Sequence, residues 1–101
     1  MQEEMGFSDA LLALKRGEKV ARAGWNGKDQ WVCAMSGLKL PPNNSTEPGP
    51  KVNDRTAQFI GVDQPLDSQP YLVLKNQQGK WQPGWVPSQG DLFAHDWMLV
   101  E

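Results

Sequence analysis

With one cysteine and one histidine in 101 residues, the chain has little to offer metal or covalent chemistry. A lone Cys33 cannot close an internal disulfide, which suits a reducing compartment. Cys33 and His95 cannot build a zinc site without several carboxylates, and no ligand spacing accompanies them. No serine or cysteine stands in a nucleophile frame, and the glycines form no Walker or dinucleotide loop. No apolar run approaches the roughly 18–20 residues that span a bilayer. The first residues, Met1-Gln2-Glu3-Glu4-Met5, are acidic where a signal peptide is basic and then apolar. Basic charge is not in excess either: 10 Lys and Arg stand against 12 Asp and Glu, for a net charge of −2. That balance argues against duplex nucleic acid, whose binding requires many neutralised phosphates. These absences predict a soluble cytoplasmic protein that uses no metal or cofactor and binds rather than catalyses.

What the chain has is tryptophan, five in all. Each ring brings a flat π-face and one N–H that wants a partner, so it can hold a planar ligand as well as pack. Two of them lie in glycine-rich frames, Gly24-Trp25-Asn26-Gly27 and Gly84-Trp85-Val86-Pro87, where the backbone can come close to whatever the ring touches. Trp25 and Trp85 are therefore read as ligand walls, and Trp31, Trp81 and Trp97 as core and turn residues.

The pattern along the chain predicts one α+β domain over residues 1–101: an N-terminal helix on a small antiparallel sheet, a Pro-rich central loop and a short C-terminal helix. Phe7 to Gly17 reads as the main helix. Ser8 is its N-cap, Phe7 and Leu12 have the spacing of a hydrophobic staple, and Gly17 takes the left-handed position after the last turn. Leu11, Leu12 and Leu14, with Ala10 and Ala13, form its apolar face. About three turns are too few to stand alone, so the helix must dock on a sheet. Residues 19–23 and 31–35 read as a hairpin around the 24–29 turn, with Cys33 in a buried strand. Six of the eight prolines fall in residues 36–70, where only Ala57 to Val62 looks like a strand. Residues 71–75 and 80–86 form a second strand pair, with Pro83 marking an edge or a bulge. Ser88 and Asp91 have the spacing of a helix cap over 88–94, and residues 97–100 form a last strand.

A nucleotide-like ligand needs an aromatic face for its base, cations for phosphate, and short hydrogen-bonding groups for ribose and base edges. Trp25 and Trp85 supply the faces, and stacking on such a ring is worth about 1–3 kcal/mol per base. Arg22 and Lys28 bracket Trp25 and suit phosphate, the first as a fork and the second as a point charge. Asn26, Ser88, Gln89 and Asp91 offer directional hydrogen bonds. His95 beside Asp96 is the candidate general base of a rival, enzymatic reading. A tryptophan surface that blocks a host enzyme is a third reading, because tryptophan is enriched at binding hot spots.

Two sets of motifs carry a resemblance. One runs from Phe7-Ser8-Asp9-Ala10-Leu11 through Leu14-Lys15-Arg16-Gly17-Glu18-Lys19-Val20 to Arg22-Ala23-Gly24-Trp25-Asn26-Gly27-Lys28. The other is Gly84-Trp85-Val86-Pro87-Ser88-Gln89-Gly90-Asp91-Leu92-Phe93-Ala94 with Asp96-Trp97. In order and spacing these resemble a phage and prophage family, the second Thoeris anti-defence proteins, over both ends of the chain. The resemblance implies a molecular sponge. Such a protein binds a cyclic ADP-ribose-type immune signal (glycocyclic ADP-ribose) unchanged, in pockets between the subunits of a homotetramer. It also implies that some members hold cyclic oligonucleotides at separate sites. Carried over to this chain, the pocket is expected at Trp25-Asn26 and along Trp85 to Asp91. Two features depart from the family pattern: Asp29-Gln30-Trp31 replaces the glycine-methionine usual after the first turn, and the middle segment is unusually rich in proline.

Overall fold

In chain order, the elements among the described residues are α1 (Phe7–Lys15), β1 (Lys19–Arg22), β2 (Trp31–Met35), β3 (Leu38–Leu40), α2 (Asp54–Ile60), β4 (Leu66–Ser68), β5 (Tyr71–Lys75), β6 (Trp81–Pro83), α3 (Gln89–Phe93) and β7 (Trp97–Val100). The structure is a computed structural model and describes residues 4–25 and 29–101. Its contacts divide the chain into two units, residues 1–35 with 71–101 and residues 36–70. The fold is α+β, as the residue pattern predicts.

Helix α1 starts at Phe7, as expected, but with a different cap. Gly6, not Ser8, occupies the N-cap position, with extended backbone and no side-chain cap. The cause lies outside the helix. Met5 exchanges backbone hydrogen bonds of 2.7 and 3.0 Å with Trp97, so the chain is held in an extended bridge until just before the helix begins. Phe7 then packs on Trp97 with ring centroids 5.4 Å apart. Leu12 is 55% exposed, so the expected staple between Phe7 and Leu12 does not form. The far end follows the sequence signal: Gly17 has φ of 92°, and the Gly17 and Glu18 amides donate to the Leu14 and Ala13 carbonyls. This double closure satisfies carbonyls that the helix end leaves open.

The helix docks on a five-stranded antiparallel sheet ordered β6-β5-β2-β1-β7. Register aligns Val20 with Val32 and Val32 with Leu74, and these pack with Ala10, Ala13, Leu14 and Trp97 as the core. Because successive side chains alternate across a sheet, Trp31 must face away from Val32. Trp31 pairs with Lys75, and Lys75 with Trp81, which puts all three on that opposite face. Trp31 is half-buried and Trp81 is 49% exposed, which corrects their expected place in the core. The two rings meet edge to face at 5.5 Å, and the Lys19 and Lys75 ammonium groups lie 5.0 and 5.7 Å from the Trp31 ring centre. Cys33, on the same face, is half-buried rather than buried. Burial pushes its thiol pKa up, against a smaller opposing effect of Lys19.

Strand β6 is shorter than the expected 80–86. Pro83 sits at its end on the sheet edge, where a missing N–H costs no ladder bond. The Gly84 and Trp85 amides then both donate to the Leu72 carbonyl, two residues against one, and Gly84 has φ of 81°. This bulge-like step turns the chain out of the sheet and delivers Trp85 and α3.

In the second unit, β3 and β4 pair antiparallel, register Leu38 with Ser68, and neither strand was expected. Residues 57–62, expected as a strand, instead lie in and just after α2. The local cap decides it: the Asn53 side chain accepts from the Thr56 amide at 2.8 Å, and Asp54 follows in the first turn. That start signal outweighs the β-branched character of Ile60 and Val62. Gly61, with φ of 105°, ends the helix. The Asn43 side chain donates to the Val52 carbonyl and to Asp54, and Val52 is fully buried.

Trp97 has no exposed surface. Trp97→Ala is expected to cost about 3–5 kcal/mol in urea denaturation, and Trp81→Ala less than about 1 kcal/mol. Equal losses for the two variants would contradict this division of core and surface rings.

Candidate functional site

The end of β1, the turn that follows it, and the start of α3 converge on one carboxylate. Asp91 is 8% exposed. Its Oδ1 accepts from Arg22 Nη1 at 2.9 Å and from Trp25 Nε1 at 3.2 Å, and its Oδ2 accepts from the Ser88 amide at 2.9 Å. Its backbone carbonyl accepts from Trp97 Nε1 at 2.8 Å. The Ser88 hydroxyl in turn accepts from the Asp91 amide at 3.1 Å, completing the expected capping box.

Arg22 is the second centre. Its Nε donates to Asp96 Oδ1 at 2.9 Å, while Asp96 Oδ2 accepts from the Gly24 amide at 2.8 Å. A side chain at Gly24 would put its Cβ 2.8 Å from that Oδ2, so any other residue here would have to push the Asp96 carboxylate from its place.

The ionisation of the network follows from these contacts. Burial pushes the Asp91 pKa up, but hydrogen bonds from the Ser88 amide, Arg22, Trp25 and the Ser88 side chain outweigh it and hold the pKa below the usual carboxylate value. Asp96 is also lowered, chiefly by the Arg22 hydrogen bond, against a smaller cost of burial. Hydrogen bonds to Asp96 and Asp91 raise the pKa of Arg22.

Three rings stand beside this network. Trp25 and Trp85 are half-buried and meet the buried Trp97 edge to face, with centroids 5.3 and 6.3 Å from it and 6.2 Å from each other. Of the eight candidate residues, Arg22, Trp25, Ser88 and Asp91 are joined by hydrogen bonds, and Trp85 joins through its ring. Gln89 is exposed at the first position of α3. Asn26 and Lys28 lie outside the described residues.

Sequence reasoning missed two features. Asp96 reads in the sequence as a partner for His95 and as part of the Asp96-Trp97 motif, yet its carboxylate is taken by Arg22 and Gly24. The other is a cleft of 470 Å³ between the start of α1 and the end of α3, walled by Phe7, Leu11, Leu92 and Phe93, with Ser8 and His95 at its polar side. Of the residues singled out in the sequence, none of the described ligand-site candidates lines it, and His95, the candidate base, does. Phe7, Ser8, Leu11, Leu92, Phe93 and Ala94 lie within the two sets of motifs, but the cleft they form exists only once two helices meet. Among the described residues no group of His, Cys, Asp or Glu is placed to hold a metal ion, and no helix is long and apolar enough to cross a membrane.

Fold and site together define a small α+β domain with a tryptophan cluster braced by an arginine–aspartate network. Residues 5–100 match the Thoeris anti-defense 2-like (Tad2-like) domain, and the chain belongs to that family. It is similar to "Thoeris anti-defense 2" of Bacillus phage SP01, at 32% identity over 100 residues and 99% of each chain.

Asp91 and Asp96 both have folded-state pKa values below their unfolded ones. Their stabilisation is therefore present above the unfolded value, about 3.9, and is lost as pH falls through the folded values. Urea midpoints should drop below about pH 4. Asp91→Asn should be less stable at neutral pH and lose less on acidification. An acid slope unchanged by that substitution would show that the Asp91 contacts do not favour its charged form.

Proposed function

We propose that this chain counters Thoeris immunity as a sponge, holding a cyclic ADP-ribose-type signal of the glycocyclic kind without changing it chemically. The anti-defence role rests on family membership and on the phage relative, whose name specifies Thoeris. Its place of action would be the cytoplasm of an infected bacterium. The observation that carries the ligand reading is the pair of half-buried indoles, Trp25 and Trp85, held against a buried third ring. Rings so braced can wall a base without being ordered on binding. Gln89, with Asn26, supplies hydrogen bonds, and Lys28 supplies charge for phosphate. Ser88, Arg22 and Asp91 border the same place.

Assembly into a homotetramer, with pockets shared between subunits, belongs to the same proposal. Its support is the apolar surface of the first unit: Leu12, Val86 and Phe93 are 55, 78 and 76% exposed. Symmetric association buries such surface and creates clefts between copies. Light scattering is expected to give the mass of a tetramer at micromolar concentration, and a monomer would remove the shared-pocket arrangement.

Sequestration is favoured over catalysis by the state of the one candidate base. His95 is exposed, and Asp96, the carboxylate that would orient it, has both oxygens engaged by Arg22 and Gly24. Holding a signal below the threshold of a nanomolar effector requires about −12 kcal/mol. Heat denaturation of the loaded protein is expected to release the intact signal. Trp25→Ala and Trp85→Ala should abolish capture while remaining folded, and His95→Ala should capture as well as wild type. Recovery of a hydrolysed nucleotide, with that conversion lost in His95→Ala, would replace the sponge with an enzyme.

A further inference from the structure

We infer that Asp91 and Arg22 are positioning residues, which fix the Trp25 indole and the start of α3 before any ligand arrives, and that they are not themselves ligand contacts. The inference rests on the reading of Trp25 and Trp85 as ligand walls and assigns the polar groups beneath them. A carboxylate has about four lone-pair sites. Three hydrogen bonds already fall on that of Asp91, from Arg22, Trp25 and Ser88. One site remains on Oδ2, and with 8% of its surface exposed Asp91 offers a ligand little room to reach it. Arg22 spends two of its five N–H donors on the carboxylates, Nη1 on Asp91 and Nε on Asp96, and this pair of bonds fixes the plane of its guanidinium.

What the pair holds is otherwise poorly held. Helix α3 has five residues, far too few to persist without tertiary support. Trp25 stands on the turn after β1, and its ring is oriented by one N–H bond to Asp91 and by edge contacts to Trp97 and Trp85. The Asp91 backbone carbonyl also takes the Trp97 indole N–H, which ties the same residue to the core. A single side chain therefore sets the Trp25 ring plane and the placement of Gln89 two residues before it. Ligand contact is left to the ring faces and to the exposed Gln89.

The test uses full-length protein, glycocyclic ADP-ribose as probe, and the variants Asp91→Asn, Arg22→Gln and their combination. Two readouts are needed: probe affinity by calorimetry, and the ¹H–¹⁵N indole resonances of the unliganded protein, with that of Trp25 assigned by Trp25→Phe. Under conditions where circular dichroism shows each variant folded, both single variants are expected to move or broaden the Trp25 resonance and leave those of Trp31 and Trp81 in place. Each should weaken the probe about tenfold or more, the change one charge-assisted hydrogen bond carries. The double variant should be scarcely worse than the worse single one, because both act through one latch. Should Asp91→Asn fail to fold, Arg22→Gln carries the test alone.

Weakened affinity with an unmoved Trp25 resonance would make Asp91 or Arg22 a direct ligand contact and overturn the inference. A moved resonance with unchanged affinity would reduce the network to a stabilising one and overturn it equally. Failure of the wild type to bind the probe is a different result: it removes the ligand reading on which the positioning role stands.

Discussion

The Asp91 carboxylate is the constraint on which the first unit's ordering depends. It is nearly buried, and it remains charged because donors from three parts of the chain face it: Arg22 at the end of β1, Trp25 in the following turn, and Ser88 at the start of α3. A buried charge without such donors would cost several kcal/mol, whereas one that is hydrogen-bonded on both oxygens is tolerated and imposes geometry on its donors. Removing any one donor would leave that charge partly unpaired, so the three segments are coupled.

The coupling reaches the aromatic cluster. Trp97 is wholly buried and reports to the core through Phe7, while its N–H reports to Asp91. Trp25 and Trp85 lean on it edge to face, an arrangement worth about 0.5–1.5 kcal/mol per pair beyond simple burial. Stability and site are thus built from the same groups: one ring serves packing alone, and two serve packing with part of their surface still open. Substitutions here should be read with stability and binding measured side by side.

The face of the sheet away from α1 follows a different logic. Trp31 and Trp81 meet there edge to face, and the Lys19 and Lys75 chains cover the Trp31 ring while keeping their charge near solvent. The second unit depends on local signals instead, a capped helix α2 and two short paired strands.

Local chemistry was legible in the sequence wherever it was sufficient. The Ser88 and Asp91 cap, the left-handed Gly17, the strands at 31–35, 71–75 and 97–100, and the core role of Trp97 could all be read from residue type and spacing. The proximity of Arg22, Trp25, Trp85 and Asp91 was legible only as a grouping of motifs, and their mutual hydrogen bonds were not. Such bonds form between residues more than 60 positions apart, as the separations of 69 and 66 for Arg22 and Trp25 from Asp91 show. The start of α1 at Phe7 was legible but its cap was not, because a backbone bridge from Met5 to Trp97, invisible in composition, puts Gly6 rather than Ser8 at the cap. Residues 57–62 were misread because hydrophobic character was weighed above the Asn53 cap. The sequence by itself determined the main elements of the first unit, since propensity, capping and periodicity act within a few residues. Only the tertiary structure decided which face each tryptophan takes and which polar groups are spent on one another, because those depend on sheet register and on contacts that close across the whole chain.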